Sequence, residues 1–329
     1  MKTEVSSPGK IFLSGEYLAM DGSIATLLSS KQRAKIAIEE SDLSFNVLYS
    51  LPANKSFPFH VNDSFQIQWI ENNPEELGLF IQDAIILMQI KPSKTKFTID
   101  TTDFYFNSRK IGIGSSSAIS SALIRGINEH FDFAYTKEMM IDSALKLHSI
   151  KQNNLGSGLD VIASFIDSGL IECVKDNNGQ KEWQKIEWPS DLLIKGVITS
   201  EHSNTTKMIE KYLKGQINNK EFFWTLKSNA DECLEHLSLS WKAKNCESIL
   251  GLMQQYNILM QQLDEMYHLG IYTNEHRILA NLANESEIFY KPSGAGGGDL
   301  GFLLTKNIEK LKIFNEKLSD SNFKLIDLR

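Results

Sequence analysis

The chain has 329 residues, enough for one large domain or two ordinary ones with a full hydrophobic core and no need of disulfide or metal staples. Hydrophobic residues make up 42% and charged residues 23%, which excludes a disordered or low-complexity chain. A formal net charge of −7 argues against a general nucleic-acid binder, which needs a basic surface, and leaves room for a local cationic pocket.

The first hundred residues read mostly as strands. Lys10–Ser14 is short and apolar, Lys35–Glu39 and Phe65–Trp69 alternate as half-buried strands do, and Lys96–Asp100 is a further candidate. Between them Pro74–Met88 predicts a helix. Pro74 suits a first turn, Glu75 and Glu76 favour a helix N-terminus, and Leu79, Phe80, Asp83, Ile86 and Leu87 follow a 3.6-residue spacing. A helix from Ser115 carries Ala118, Ala122 and Gly126 on one stripe and Ile119, Leu123 and Ile127 on the next, which suits close packing on a sheet. Thr136 opens another helix through Ala144, Leu147 and His148, and strands return at 170–174 and 193–198. From Thr205 to about Asn284 helical patterns dominate, with long amphipathic stretches near 219–237 and 246–268. Strands at 288–290, 302–304 and 323–326 and a helix near 307–318 complete the chain. This order predicts an α+β protein of two lobes with a cleft between them.

Cys173, Cys233 and Cys246 are widely spaced and form no CxxC pair, so the expectation is reduced thiols in a cytoplasmic protein. No run of 18 apolar residues exists, and Met1–Ser6 lacks the apolar stretch of a signal peptide, so no membrane association is expected. The histidines, at 60, 130, 148, 202, 236, 268 and 276, show no metal spacing and are expected at the surface or partly buried.

Glycine carries the functional signal. In Ser7-Pro8-Gly9-Lys10-Ile11-Phe12-Leu13-Ser14-Gly15-Glu16-Tyr17 a strand bounded by glycines presents Lys10 at one end and Glu16-Tyr17 at the other; alone it reads as a plain edge strand. In Lys110-Ile111-Gly112-Ile113-Gly114-Ser115-Ser116-Ser117-Ala118, two glycines expose backbone N–H groups and three serines start a helix. The helix dipole adds to that array and makes an anion site, and a serine hydroxyl there can reach a Mg²⁺ held by phosphates. A Ser-capped helix after a glycine turn is the plainer alternative. The segment is neither a Walker A loop nor GxGxxG. In Lys291-Pro292-Ser293-Gly294-Ala295-Gly296-Gly297-Gly298-Asp299 the glycine density is entropically costly and fits a backbone that approaches a ligand closely, more than a flexible hairpin loop. In Gly156-Ser157-Gly158-Leu159-Asp160 the carboxylate is either placed for chemistry or caps the helix that follows.

In this order these segments resemble the GHMP kinase superfamily of small-molecule kinases over nearly the whole chain, from Pro8 to Gly301. Gly15-Glu16-Tyr17, the direct lead-in Arg109-Lys110 and the third motif are most similar to its phosphomevalonate kinase branch. Ser117, the stretch Gln152-Asn153-Asn154-Leu155-Gly156-Ser157-Gly158, and Leu300 after Asp299 depart from common family patterns. The resemblance implies an N-terminal lobe over residues 1–190 similar to the ribosomal S5 domain 2-like fold, carrying the nucleotide loop. It implies a ferredoxin-like C-terminal lobe with extra helices over 191–329.

It further implies transfer of the γ-phosphoryl group of ATP, with Mg²⁺, to a small-molecule acceptor of the mevalonate pathway. On that resemblance Asp160 and Lys10 are the catalytic pair, and Gly112, Ile113, Gly114, Ser115, Ser116 and Ser117 hold the nucleotide, with Ser116 on the metal side. Glu16, Tyr17, Lys110, Ser157, Ser293, Gly294, Ala295, Gly296 and Gly297 then contact the acceptor. Mevalonate kinase, or a homoserine or sugar kinase, is the nearest alternative, and a non-catalytic ligand sensor of the same fold is another. The expected partner is a small molecule, with no nucleic acid and no membrane, in a monomer or homodimer.

Overall fold

A long bent hairpin opens the chain, β1 (Lys2–Ser14) running antiparallel to β2 (Ala25–Glu40). The structure is a computed structural model that describes residues 2–74, 76–151, 155–176, 179–201, 203–319 and 321–329. Glu75 of the expected helix, Gln152, Asn153 and Asn154 of the fourth glycine-containing segment, and His202 lie outside the described residues.

β3 (Asn46–Leu51), β4 (Lys55–Val61), β5 (Ile67–Trp69), α1 (Glu76–Met88) and β6 (Thr95–Asp100) follow, then a small hairpin of β7 (Tyr105–Phe106) and β8 (Arg109–Lys110). Next come α2 (Ser115–His130), α3 (Lys137–Lys151), α4 (Leu159–Ile166), β9 (Leu170–Lys175) and β10 (Lys181–Ile186). The main sheet runs β10-β9-β2-β6-β3-β4-β5, with β1 paired to β2, and only β3–β6 is parallel among the pairings in it. α2 and α4 lie on β1 and β2. The small stripe allows this approach: Ala118 and Ala122 are fully buried, and a Cβ on Gly126 would stand 3.1 Å from a Val5 methyl.

The chain then forms β11 (Leu193–Ile198), α5 (Thr205–Asn218), α6 (Lys220–Lys242), α7 (Cys246–Tyr267), α8 (Asn274–Glu285), β12 (Phe289–Pro292), β13 (Leu300–Thr305), α9 (Ile308–Leu318) and β14 (Lys324–Asp327). The strands order β12-β13-β11-β14, all antiparallel, with the helices as crossovers, a ferredoxin-like succession. One core joins the main sheet, α2, α4, α6 and α7, and a smaller cluster fills the space between the second sheet, α8 and α9. Among the described residues, no helix is long and apolar enough to cross a membrane.

Two readings need correction. The strand expected at Phe65 begins at Ile67, because Phe65 adopts φ 59° in a turn where Asn62 Oδ1 accepts the N–H groups of Ser64 and Gln66. The buried face of α1 is Phe80, Ile81, Ala84, Ile85 and Met88, while Leu79 and Ile86 are exposed. This segment is apolar almost all round, so more than one stripe satisfies the helical period, and Asp83 faces α3, pairing with Lys151 at 2.7 Å.

Candidate active site

The end of β1, the N-termini of α2, α4 and α5, and the β12–β13 loop surround a cleft of about 400 Å³. β1 sets one wall. The Lys10 N–H donates to the Ile113 carbonyl at 2.7 Å, tying the strand to the second glycine motif. The Lys10 stem then crosses Gly114 so closely that a Cβ there would sit 2.8 Å from Lys10 Cε. Its ammonium lies 5.0 Å from the Phe12 ring centroid. Burial pulls the Lys10 pKa below its ordinary value, and the carboxylates of Asp160, Glu16 and Asp299 oppose that shift.

Gly112 and Gly114 have φ of 69° and 78°, and Gly114 is the N-cap residue of α2. A Cβ on Gly112 would lie 2.2 Å from Asp299 Cβ, so the second and third motifs touch through the missing side chain. The first bond of the α2 ladder runs from Ala118 N–H to the Gly114 carbonyl, so the N–H groups of Ser115, Ser116 and Ser117 precede it. The serines do not cap α2. Ser115 and Ser116 are on the cleft wall, whereas Ser117 is buried, donating to the Gly114 carbonyl at 2.9 Å and lying 3.0 Å from Ser164 Oγ. The Ile113 side chain is in the core.

Asp160 stands in the first turn of α4, whose N-cap is Gly158, so the capping role is not its own. Its Oδ1 accepts the Val161 N–H at 3.0 Å, and Oδ2 lies 3.5 Å from His148 Nε2. Ser157 is also on the wall and accepts the Leu159 N–H at 3.4 Å. Lys110 is exposed at the rim.

Opposite, the β12–β13 loop is held from several sides. Lys291 forms an ion pair with Glu16, the two side chains 3% and 2% exposed, and Tyr256 Oη lies 3.3 Å from the same carboxylate. Tyr17 donates to the Ala295 carbonyl at 2.7 Å, and Ser293 to the Phe12 carbonyl at 3.2 Å. Asp264, in the last turn of α7, accepts the N–H groups of Gly270, Ile271 and Tyr272 at 2.6, 2.9 and 3.0 Å, and the Ile271 carbonyl accepts from Gly297.

Thirteen of the residues singled out in the sequence line this one cleft: Lys10, Glu16, Tyr17, Lys110, Gly112, Gly114, Ser115, Ser116, Ser157, Asp160, Ser293, Gly294 and Ala295. Gly296 and Gly297 do not, and their N–H groups are spent inside the protein on the carbonyls of Ser293 and Ile271. Residues given no role from the sequence are Phe12, Ala19, Met20 and Gly156, Ser203, Thr205 and Ile209 at the start of α5, and Gly298 and Asp299. The cap-forming run Ser203-Asn204-Thr205 was a legible helix start, and Asn204 Oδ1 does accept the Lys207 N–H at 3.1 Å.

Two of the histidines expected at the surface or partly buried are fully buried. His276 has Nδ1 at 2.6 Å from Tyr290 Oη, and burial pushes its pKa down to about 4. His148 is 2% exposed and stands behind the cleft. The three cysteines are buried and free.

An α-helix N-terminus, a lysine and bare glycine backbone together make a cradle for a polyanion. Among the described residues no group of three or more His, Cys, Asp or Glu could hold a metal ion alone. One hydroxyl and one carboxylate, Ser116 and Asp160, are instead the kind of sparse donor set that suits Mg²⁺ arriving on phosphates.

Residues 93–168 match the family described as "GHMP kinases N terminal domain". Over 91% of this chain and 88% of the relative, the sequence is 22% identical to a phosphomevalonate kinase of Streptomyces. The fold superposes on a phosphomevalonate kinase of Streptococcus pneumoniae, solved in complex with phosphomevalonate and AMPPNP, with a TM-score of 0.79 and 18% identity, covering 99% of both chains. A mevalonate kinase of Methanococcus jannaschii gives 0.77 at 20% identity, covering 100% of this chain and 98% of its own. The fold is therefore that of the GHMP kinases, and the resemblance read from the glycine motifs holds in sequence and structure.

Proposed function

We propose that the chain is an ATP- and Mg²⁺-dependent kinase that transfers the γ-phosphoryl group to phosphomevalonate. The observation that carries this reading is the convergence of the α2 N-terminus, Lys10 and Asp160 on one cleft with a second cation, Lys110, at its rim. Phosphoryl transfer asks mostly for alignment and charge neutralisation, and these groups supply both. The N–H groups of Ser115, Ser116 and Ser117 receive the nucleotide phosphates, with Gly112 and Gly114 leaving room for them. Lys10 faces the transferring group, where burial in a low-dielectric wall strengthens its effect. Ser116 Oγ would hold Mg²⁺ arriving with the nucleotide, and the ion would supply positive charge to the phosphates.

The acceptor lies against Ser157, Ser293, Gly294 and Ala295, with Tyr17 fixing the loop and Lys110 offsetting the acceptor phosphate. A phosphate oxygen of the acceptor forms the new O–P bond as the bridging O–P bond to ADP breaks. That oxygen is already anionic, so Asp160 orients more than it deprotonates. The lobes divide near residue 190, nucleotide loop in the first and acceptor loop in the second.

A second reading, mevalonate kinase, is favoured by the near-equal superposition on the Methanococcus jannaschii enzyme. The acceptor would then be an alcohol and Asp160 its general base. ADP release with Mg-ATP against mevalonate, phosphomevalonate, homoserine and galactose decides. Turnover with phosphomevalonate is expected. Turnover with mevalonate alone rejects the acceptor and keeps the kinase; no turnover with any of the four rejects both.

A further inference from the structure

One buried side chain touches both the metal-side serine and the catalytic carboxylate, yet belongs to neither of their elements. His148 lies on α3, 2% exposed, with Nε2 3.2 Å from Ser116 Oγ on α2 and 3.5 Å from Asp160 Oδ2 on α4. Both partners are on the cleft wall, while the imidazole sits behind it. We propose that His148 is a positioning residue of the phosphoryl-transfer site, which fixes the Ser116 hydroxyl and the Asp160 carboxylate relative to each other; this rests on the kinase reading above.

The hydrogen on the ring follows from the partners. An ionised carboxylate only accepts, so a bare Nε2 lone pair facing Asp160 would be repelled. Nε2 therefore carries the hydrogen, and Ser116 Oγ accepts it. The hydroxyl is then turned so that its own hydrogen and remaining lone pair face the cleft rather than the protein. The carboxylate, at the longer distance, is held by the same N–H dipole. Two functional groups from different helices thus take their orientation from one rigid, two-torsion side chain. A loss of about 1 Å in such placement can cost about 10²-fold in rate.

The test compares His148→Leu, which fills the space without a donor, with His148→Gln, whose amide nitrogen can reach about as far as Nε2. In His148→Leu kcat is expected to fall at least roughly 10-fold with acceptor KM within about threefold, and His148→Gln to recover most of that fall. Melting temperatures report packing separately. A kcat for folded His148→Leu near that of the parent, or equal losses in both variants, overturns the proposal.

A second measurement needs no turnover. In protein labelled with ¹⁵N-histidine, long-range ¹H–¹⁵N spectra are expected to show the His148 Nε2 signal, assigned by its loss in His148→Gln, as protonated. It is expected to move in both Ser116→Ala and Asp160→Asn. An unprotonated Nε2, or one indifferent to both changes, overturns the proposal even if the unaltered chain phosphorylates no acceptor. A chain that phosphorylates no acceptor but shows a protonated Nε2 that moves in both variants rejects the kinase reading alone.

Discussion

Replacing Lys291 by Met should expose how much of this fold hangs on one buried charge pair. Lys291 is 3% exposed, pairs with Glu16, donates to the Pro292 carbonyl at 3.0 Å and lies 5.8 Å from the ring centroids of Tyr256 and Phe302. Methionine keeps most of the stem's volume and polarisable contact with the rings. It leaves the Glu16 carboxylate buried beside the Tyr256 hydroxyl without its ion-pair partner, the Lys10 ammonium acting on it only at longer range. Breaking such a pair costs about 3–5 kcal/mol, chiefly because the stranded ion has lost its water. At about 2 °C per kcal/mol, the lower end for long chains, the melting temperature should drop by roughly 6–10 °C. Changing both residues, Glu16→Leu with Lys291→Met, removes the stranded ion and should restore most of the loss. Calorimetry on the parent, both single variants and the double variant measures the coupling. A single-variant cost under about 1 kcal/mol, or a double-variant cost equal to the sum of the singles, would refute the reasoning.

Asp160→Asn should lower turnover on the order of 10²-fold if the carboxylate takes a proton, and less if it only orients a phosphate, with melting unchanged because the N-cap of α4 is Gly158; steady-state kinetics and a melt separate the cases. Gly112→Ala must displace Asp299 and strain a residue at φ 69°, so it should cost about 1–3 kcal/mol and weaken nucleotide binding, read by titration with a fluorescent ATP analogue; binding equal to the parent's would remove Gly112 from the cradle. His276 titrates near 4 in the fold and near 6.5 when unfolded, so the unfolded chain binds the proton first. Its contribution is complete above pH 6.5 and about 3 kcal/mol is lost as pH falls to 4. Urea melts of His276→Asn across that window should show a correspondingly shallower slope than the parent.

The α2 side of the cleft was readable because its chemistry is backbone chemistry. Gly112 and Gly114 are glycine for geometric reasons that leave a mark in any sequence, and Lys10 opens a strand stretch whose pattern is short and apolar. At Gly296 and Gly297, positive φ and crowding against Ile271 and Met208 already require glycine on geometric grounds. Glu16 was read as an acceptor contact, yet it also holds a buried lysine 275 residues away, a pairing that no local spacing encodes. His148 sits in an ordinary helical pattern, and its importance arises only where α2, α3 and α4 meet. Ser203 and Thr205 enter the cleft because α5, which follows β11 of the second sheet, packs through Tyr212 on Tyr17 and Asp21 just beyond β1, which is a matter of topology. The face of α1 was hidden by too much signal, since an evenly apolar helix offers several stripes.

The carboxylate of Asp264 grips three successive amides of the turn at 270–272, and that turn in turn holds Gly297. The third glycine loop is thus leashed to the end of α7 and not free to flap by itself. Its opening should be the opening of a larger unit, with amide hydrogens of Gly297 and of residues 270–272 exchanging at a common rate. The cleft would then admit and release its ligands on the breathing time of a helix end, far slower than the nanosecond wandering that so many glycines would suggest.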